Sequence, residues 1–127
     1  MTQERKQALL EAGIAVEDAL ERCMGNEMLL ERLLDKFTED KTYAELLQAM
    51  TEKKQDQAVH AAHTLKGVCG NLSMERLYHL LEKQVEVLRQ NDWDSAEDLM
   101  PAITQAYQAL VLVTNEFKHK STVDGII

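Results

Sequence analysis

Residues that interrupt helices are scarce: the 127 positions hold one Pro and five Gly. With abundant Leu, Ala, Glu, Lys and Gln, that scarcity favours helices over strands, so the class is all-α. Long hydrophobic runs are missing as well. No stretch approaches the roughly 18 apolar residues of a membrane span, and the opening Met-Thr-Gln-Glu-Arg-Lys leads into none, so the chain as given is expected to be soluble and to make no membrane contact. Positive charge is in deficit. With 14 Lys and Arg against 22 Asp and Glu the net charge is −8, which argues against nucleic acid as a partner, because phosphate-backbone binding needs a concentrated basic face. A local basic spot around Lys66 is still compatible with that balance. The only cysteines, Cys23 and Cys69, lie far apart and form no C-x-x-C pattern. Buried reduced thiols are favoured over a disulfide or metal site, which suggests a cytoplasmic protein. There is no Gly-rich nucleotide loop and no kinase metal-binding set, so autonomous kinase activity is not expected.

What is present is a series of amphipathic segments in a length that suits one domain with a single core. Thr2 can cap a first helix through about Ala12, which Gly13 ends. A short second helix over 15–24 presents Val16, Ala19, Leu20 and Cys23 on one face and stops at Gly25-Asn26. Asn26 then caps a segment in which Met28, Leu29, Leu30, Leu33, Leu34 and Phe37 form a wide apolar stripe. Thr42 and Glu45 have capping-box spacing, so 43–53 is either a separate helix or a kinked continuation. A helix over 56–72 follows, then one over 74–90 with Leu77, Leu81 and Leu88 on a common stripe that Gln84 interrupts. Asp94 and Glu97 have cap-like spacing for a last helix. Pro101 either kinks it or opens its longer part, and Ala102, Ile103, Ala106, Tyr107, Leu110, Val113 and Phe117 supply its core face. The expected organisation is an N-terminal helix over 1–12, a bundle over 13–120 and a fraying tail over 121–127. The architecture is an antiparallel four-helix bundle with short additional N-terminal helices.

The 56–72 helix carries the chemistry. At about 100° per residue, Ala58, Ala61, Ala62, Leu65, Val68, Cys69 and Leu72 turn away from His63, whose imidazole therefore faces water. Its own face holds Asp56, Val59, His60, Lys66, Gly67 and Gly70. Glycine within a helix costs about 1 kcal/mol against Ala, so two on one exposed face call for a reason other than folding, namely close approach by another molecule. A partly neutral imidazole keeps a lone pair that can attack phosphorus, and Lys66 one turn on can neutralise phosphoryl charge. Phosphoryl transfer depends mainly on positioning and charge neutralisation, so such a protein can be simple if its partner supplies the metal.

Ala62-His63-Thr64-Leu65-Lys66-Gly67, continuing to Gly70-Asn71-Leu72, resembles the phosphoacceptor motif of histidine-containing phosphotransfer (HPt) domains. The segment 13–26 and Phe37-Thr38-Glu39-Asp40 are also similar to that family, over about 13–118. The resemblance implies a helical bundle that relays a phosphoryl group between receiver-domain aspartates, with His63 phosphorylated, Lys66 the phosphate-side cation and Gly67 the clearance position. It implies response-regulator receiver domains or a hybrid histidine kinase as partners, no cofactor held by this chain, Mg2+ on the receiver, and a monomer. Ser73 stands where many members have Gly, a departure that alters the turn. His60, Gly70 and Gln84 are further candidate binding residues. His60 reads as a bystander rather than a second acceptor. Gln84 either reaches solvent at the edge of the core or hydrogen-bonds a ring nitrogen of His63, as a neighbouring-helix residue does in some similar domains.

Two other classes compete. His60 and His63, spaced i, i+3, could meet one metal ion, but the di-metal pattern needs Glu-x-x-His on two helices and only Glu116-x-x-His119 matches. His79 has no supporting pattern. A non-phosphorylated adaptor that binds receiver domains is the second alternative.

Overall fold

The computed structural model describes the backbone of residues 1–126 and the side chains of residues 1–116. Phe117, His119 and the side chains of the 121–127 tail lie outside the described residues. The element order is α1 (Gln3–Glu11), α2 (Val16–Arg22), α3 (Glu27–Glu39), α4 (Thr42–Thr51), α5 (Gln55–Asn71), α6 (Glu75–Arg89) and α7 (Trp93–Ile126), with no strand among the described residues. α5 packs most extensively on α6 and α4, and α6 on α7. The three-residue connections between successive helices from α4 to α7 make them antiparallel neighbours of a bundle. α1 and α3 rest on α7. No described helix is long and apolar enough to cross a membrane.

Local chemistry sets the helix starts. The Thr2 hydroxyl accepts from the Arg5 amide at 3.0 Å, and the side-chain Oδ1 of Asn26 accepts from the Leu29 amide at 2.9 Å, so both expected caps form. The other two starts lie elsewhere. Thr42 is already inside α4 and buried, and it is the Asp40 carboxylate that accepts from the Thr42 amide, at 2.7 Å. α4 is thus a separate helix, divided from α3 by Asp40 and Lys41. At α7 the Asp92 carboxylate, rather than Asp94, accepts from the Ser95 amide at 3.1 Å. Pro101 neither ends nor begins a helix: α7 runs through it. Its missing N–H leaves one helical bond unmade.

One contiguous core joins the elements, with Leu30, Leu34, Leu46, Leu65, Leu81, Leu88, Ile103 and Leu110 all almost inaccessible. α3 departs from its expected stripe. Leu30, Leu34 and Phe37 are buried, Leu29 and Leu33 partly so, but Met28 is exposed because it lies at the helix entrance, off the face turned to α7. Glu31 takes a buried place instead, where its carboxylate is gripped by the Arg5 guanidinium at 3.0 and 2.9 Å. Arg5 also donates to the Val113 carbonyl, so one side chain joins α1, α3 and α7.

Candidate functional site

α5 divides as its sequence requires. Ala58, Ala61, Ala62, Leu65, Cys69 and, just beyond its end, Leu72 are buried, while Val68 is half-buried. Through this buried face α5 packs against both α4 and α6. His63 is exposed on the opposite side, with no hydrogen-bond partner among the described residues. Its ring is open to a partner. His60, one turn before it, is exposed too. Lys66, one turn after it, is half-buried, so its stem lies along the helix surface, and it has no ion pair among the described residues.

The two glycines of this face differ. A Cβ built on Gly67 would meet no atom within 4 Å, so the surface beside His63 is bare there. A Cβ on Gly70 would lie 3.3 Å from Cε2 and 3.5 Å from Cδ2 of Tyr78. Gly70 therefore has a packing reason inside the molecule: it admits the Tyr78 ring of α6.

Gln84 meets neither of its two sequence expectations. It is fully buried rather than at the solvent edge. Its Nε2 donates to the Ala96 carbonyl at 3.2 Å and to Met100 Sδ at 3.0 Å, so the amide ties α6 to α7 and has no hydrogen bond to His63. Its Oε1 is buried with no partner.

Ser73 explains what the replaced glycine would have done. It closes the α5–α6 turn at φ +55°, a left-handed conformation that glycine adopts at least cost. Compensation comes from outside the turn. The Ser73 hydroxyl donates to Asp18 Oδ2 at 2.5 Å, and its carbonyl accepts from the Ala15 amide at 2.9 Å. Gly13, at φ +95°, leaves no room for a side chain, since a Cβ would come within 2.7 Å of Arg76 Cβ. The segment that enters α2 is thereby held against the hairpin that presents His63.

Both cysteines are free and buried. Burial, reinforced by the Asp40 charge, pushes the Cys69 thiol up to about 12, so no thiolate is available behind the histidine. Among the described residues no three His, Cys, Asp or Glu side chains are placed to hold a metal ion together.

The sequence reasoning passed over Arg5, Glu31 and Tyr78, which shape the frame around the site. Arg5 and Glu31 were hidden by their separation along the chain. Tyr78 could have been found by asking which bulky residue of the next helix faces a glycine in an antiparallel hairpin.

Comparison with known families matches residues 28–112 to the Hpt domain, a span that begins in α3, contains the His63 segment and ends in α7. The 13–26 segment lies outside it. No match was found among curated proteins or among solved structures. A match over more than half of the chain, on an all-helical bundle, establishes that this protein belongs to the Hpt domain family, phosphotransfer carriers of two-component systems that interact with receiver domains and histidine kinases.

Proposed function

We propose that the protein relays a phosphoryl group between receiver-domain aspartates with His63 as the carrier. The observation that supports this most is the exposed, unbonded His63 ring between half-buried Lys66 and bare Gly67 on one face of α5, inside the matched family span. In acceptance, the lone pair of a neutral imidazole nitrogen attacks the phosphorus of an aspartyl phosphate. The N–P bond forms, the P–O bond to the aspartate breaks, and its electron pair stays on the released carboxylate. The other ring nitrogen keeps its proton. Donation to a second aspartate is the reverse. Lys66 offsets part of the close to two negative charges that the ring gains, and Gly67 lets the receiver approach. Mg2+ and the acidic pocket belong to the receiver, and this chain holds no cofactor and has no kinase activity of its own. In this reading the protein is a monomer that works in the cytoplasm.

A receiver domain charged with acetyl phosphate tests the acceptor. His63→Gln is expected to abolish acid-labile, base-stable phosphate on the protein while its helical circular dichroism stays unchanged. His60→Gln should retain most of the label. Equal labelling of His63→Gln would move the site elsewhere, and an unlabelled wild type would leave a receiver-binding adaptor.

A further inference from the structure

His60, His63 and Lys66 follow one another at intervals of three residues, so they stand in one row along α5, each about 5–6 Å from the next at Cβ. His60 and His63 are both exposed, and neither ring has a hydrogen bond or ion pair among the described residues. The two flanks of His63 differ in kind. Lys66 brings a permanent cation to one side, whereas the other side holds an imidazole, a base that gains its proton near neutral pH.

The charged groups around His60 come from two elements and the joint between them. It shares a groove with Glu45 and Glu52 of α4, with Lys54 of the α4–α5 connection and with Asp56 one turn earlier on α5. None of these forms a hydrogen bond or ion pair with it, so both ring nitrogens are open. α6 meets α5 on the other flank, where Gly70 admits Tyr78. Side chains on a helix lean toward its N-terminus, so the His63 ring extends over the turn that carries His60. A phosphoryl group carried by that ring would bring close to two negative charges to the same turn. Opposite charge within about 4–6 Å favours the protonated form of a base.

We propose that His60 is the second cation of the site: when His63 is phosphorylated, His60 takes a proton from solvent and holds that N–H against a phosphoryl oxygen. The inference rests on the role of His63 given above. His60 adds no covalent step, and it returns the proton to solvent when the phosphoryl group leaves. The phosphorylated protein thus binds one proton more than the free protein, which fixes the sign of the pH effect. The gain is complete below the pH at which His60 titrates in the free protein, and it is lost as pH rises through the higher value of the phosphorylated one.

Ring-nitrogen NMR spectra of the full chain, recorded from about pH 5.5 to 8.5 before and after phosphorylation with phosphoramidate, follow this proton directly. The proton affinity of His60 is expected to rise several-fold on phosphorylation, and less at about 0.5 M salt, where the Debye length falls to a few Å. In His63→Gln treated in the same way it should not change. The transfer equilibrium with an acetyl-phosphate-charged receiver domain supplies the functional readout. His60→Gln still accepts, but at about pH 6 it should hold several-fold less phosphoryl group than wild type, and at about pH 8.5 the same amount. His60→Lys, whose cation is permanent, should keep the gain at both. A His60 proton affinity that ignores phosphorylation, or a His60→Gln variant that differs from wild type by the same factor at every pH, overturns the second cation. With phosphoramidate label present on His63, either of those results leaves the relay reading standing. A wild type that phosphoramidate does not label, or labels at His60 instead, sinks the relay reading and this inference with it.

Discussion

Gly67 and Gly70 stand one turn apart on the same helix, yet they answer to different neighbours. A Cβ at Gly67 would meet no atom of another element within 4 Å, so its cost of about 1 kcal/mol in a helix interior has no return within the folded chain. Gly67→Leu is expected to leave the bundle folded and up to about 1 kcal/mol more stable, while slowing transfer from the receiver, whose approach it blocks. At Gly70 the Tyr78 ring already sits 3.3 Å from where a Cβ would be. Gly70→Leu should therefore lose about 1–3 kcal/mol through overpacking. Urea unfolding of the two variants beside their transfer rates gives the comparison. Equal losses of stability, or a Gly67→Leu protein that exchanges phosphoryl groups at the wild-type rate, would show that Gly67 is not the clearance position. The sequence showed both glycines on the face of His63, because helical period places them there. It did not show Tyr78 against one of them, because that contact depends on the register between α5 and α6.

At the scale of elements, the helices were legible and their joints less so. Apolar period located every helix, and a single S/T/N side chain before such a segment marked the starts of α1 and α3. At α4 and α7 two polar residues stood two positions apart, and spacing alone picked Thr42 and Asp94 where the turn uses Asp40 and Asp92. The helix ends are similarly cryptic, since Lys53, Ser73 and Asn91 all take positive φ without being glycine. Only Asn is a common substitute there. Gln84 shows the same limit inside α6: helical period put it on the core stripe, but only the crossing of α6 and α7 could reveal Ala96 and Met100 as its partners. That geometry predicts the outcome of Gln84→Leu. The change removes a buried acceptor without a partner, which costs about 1–3 kcal/mol, and gives up the two weak bonds to the Ala96 carbonyl and Met100 Sδ, worth about 1–2 kcal/mol together. Stability should lie within about 1 kcal/mol of wild type or above it, with phosphotransfer unchanged. A variant that is folded but slow in transfer would return Gln84 to the role of a ring-orienting partner of His63.

At the scale of the whole molecule, the N-terminal helices act as a brace on the hairpin that carries His63. Arg5 joins α1 to α3 and α7 through Glu31 and the Val113 carbonyl, while α2 reaches the α5–α6 turn through Asp18 and Ser73. The second joint is sensitive to acid. The hydrogen bond from Ser73, then that from Arg22, holds the Asp18 carboxyl below its usual 3.8. A carboxyl depressed in the folded state binds protons more readily when unfolded, so its contribution is complete above the unfolded value and is lost as pH falls through the folded one. Asp92, held low by its bonds to Ser95 at the start of α7, adds to the same trend. Acid should thus erode stability below about pH 4. Asp18→Asn removes one of these carboxylates while leaving an oxygen that can still accept from Ser73. At about pH 7 the variant should melt below wild type, because the ion pair with Arg22 is gone and the remaining hydrogen bond is to a neutral group. As pH falls below the folded value of Asp18 the wild type loses the same charge, so the two melting curves should converge. Thermal unfolding of both proteins across that range is the measurement, and a gap that stays constant to the lowest pH would mean that the charge on Asp18 does not fasten the brace.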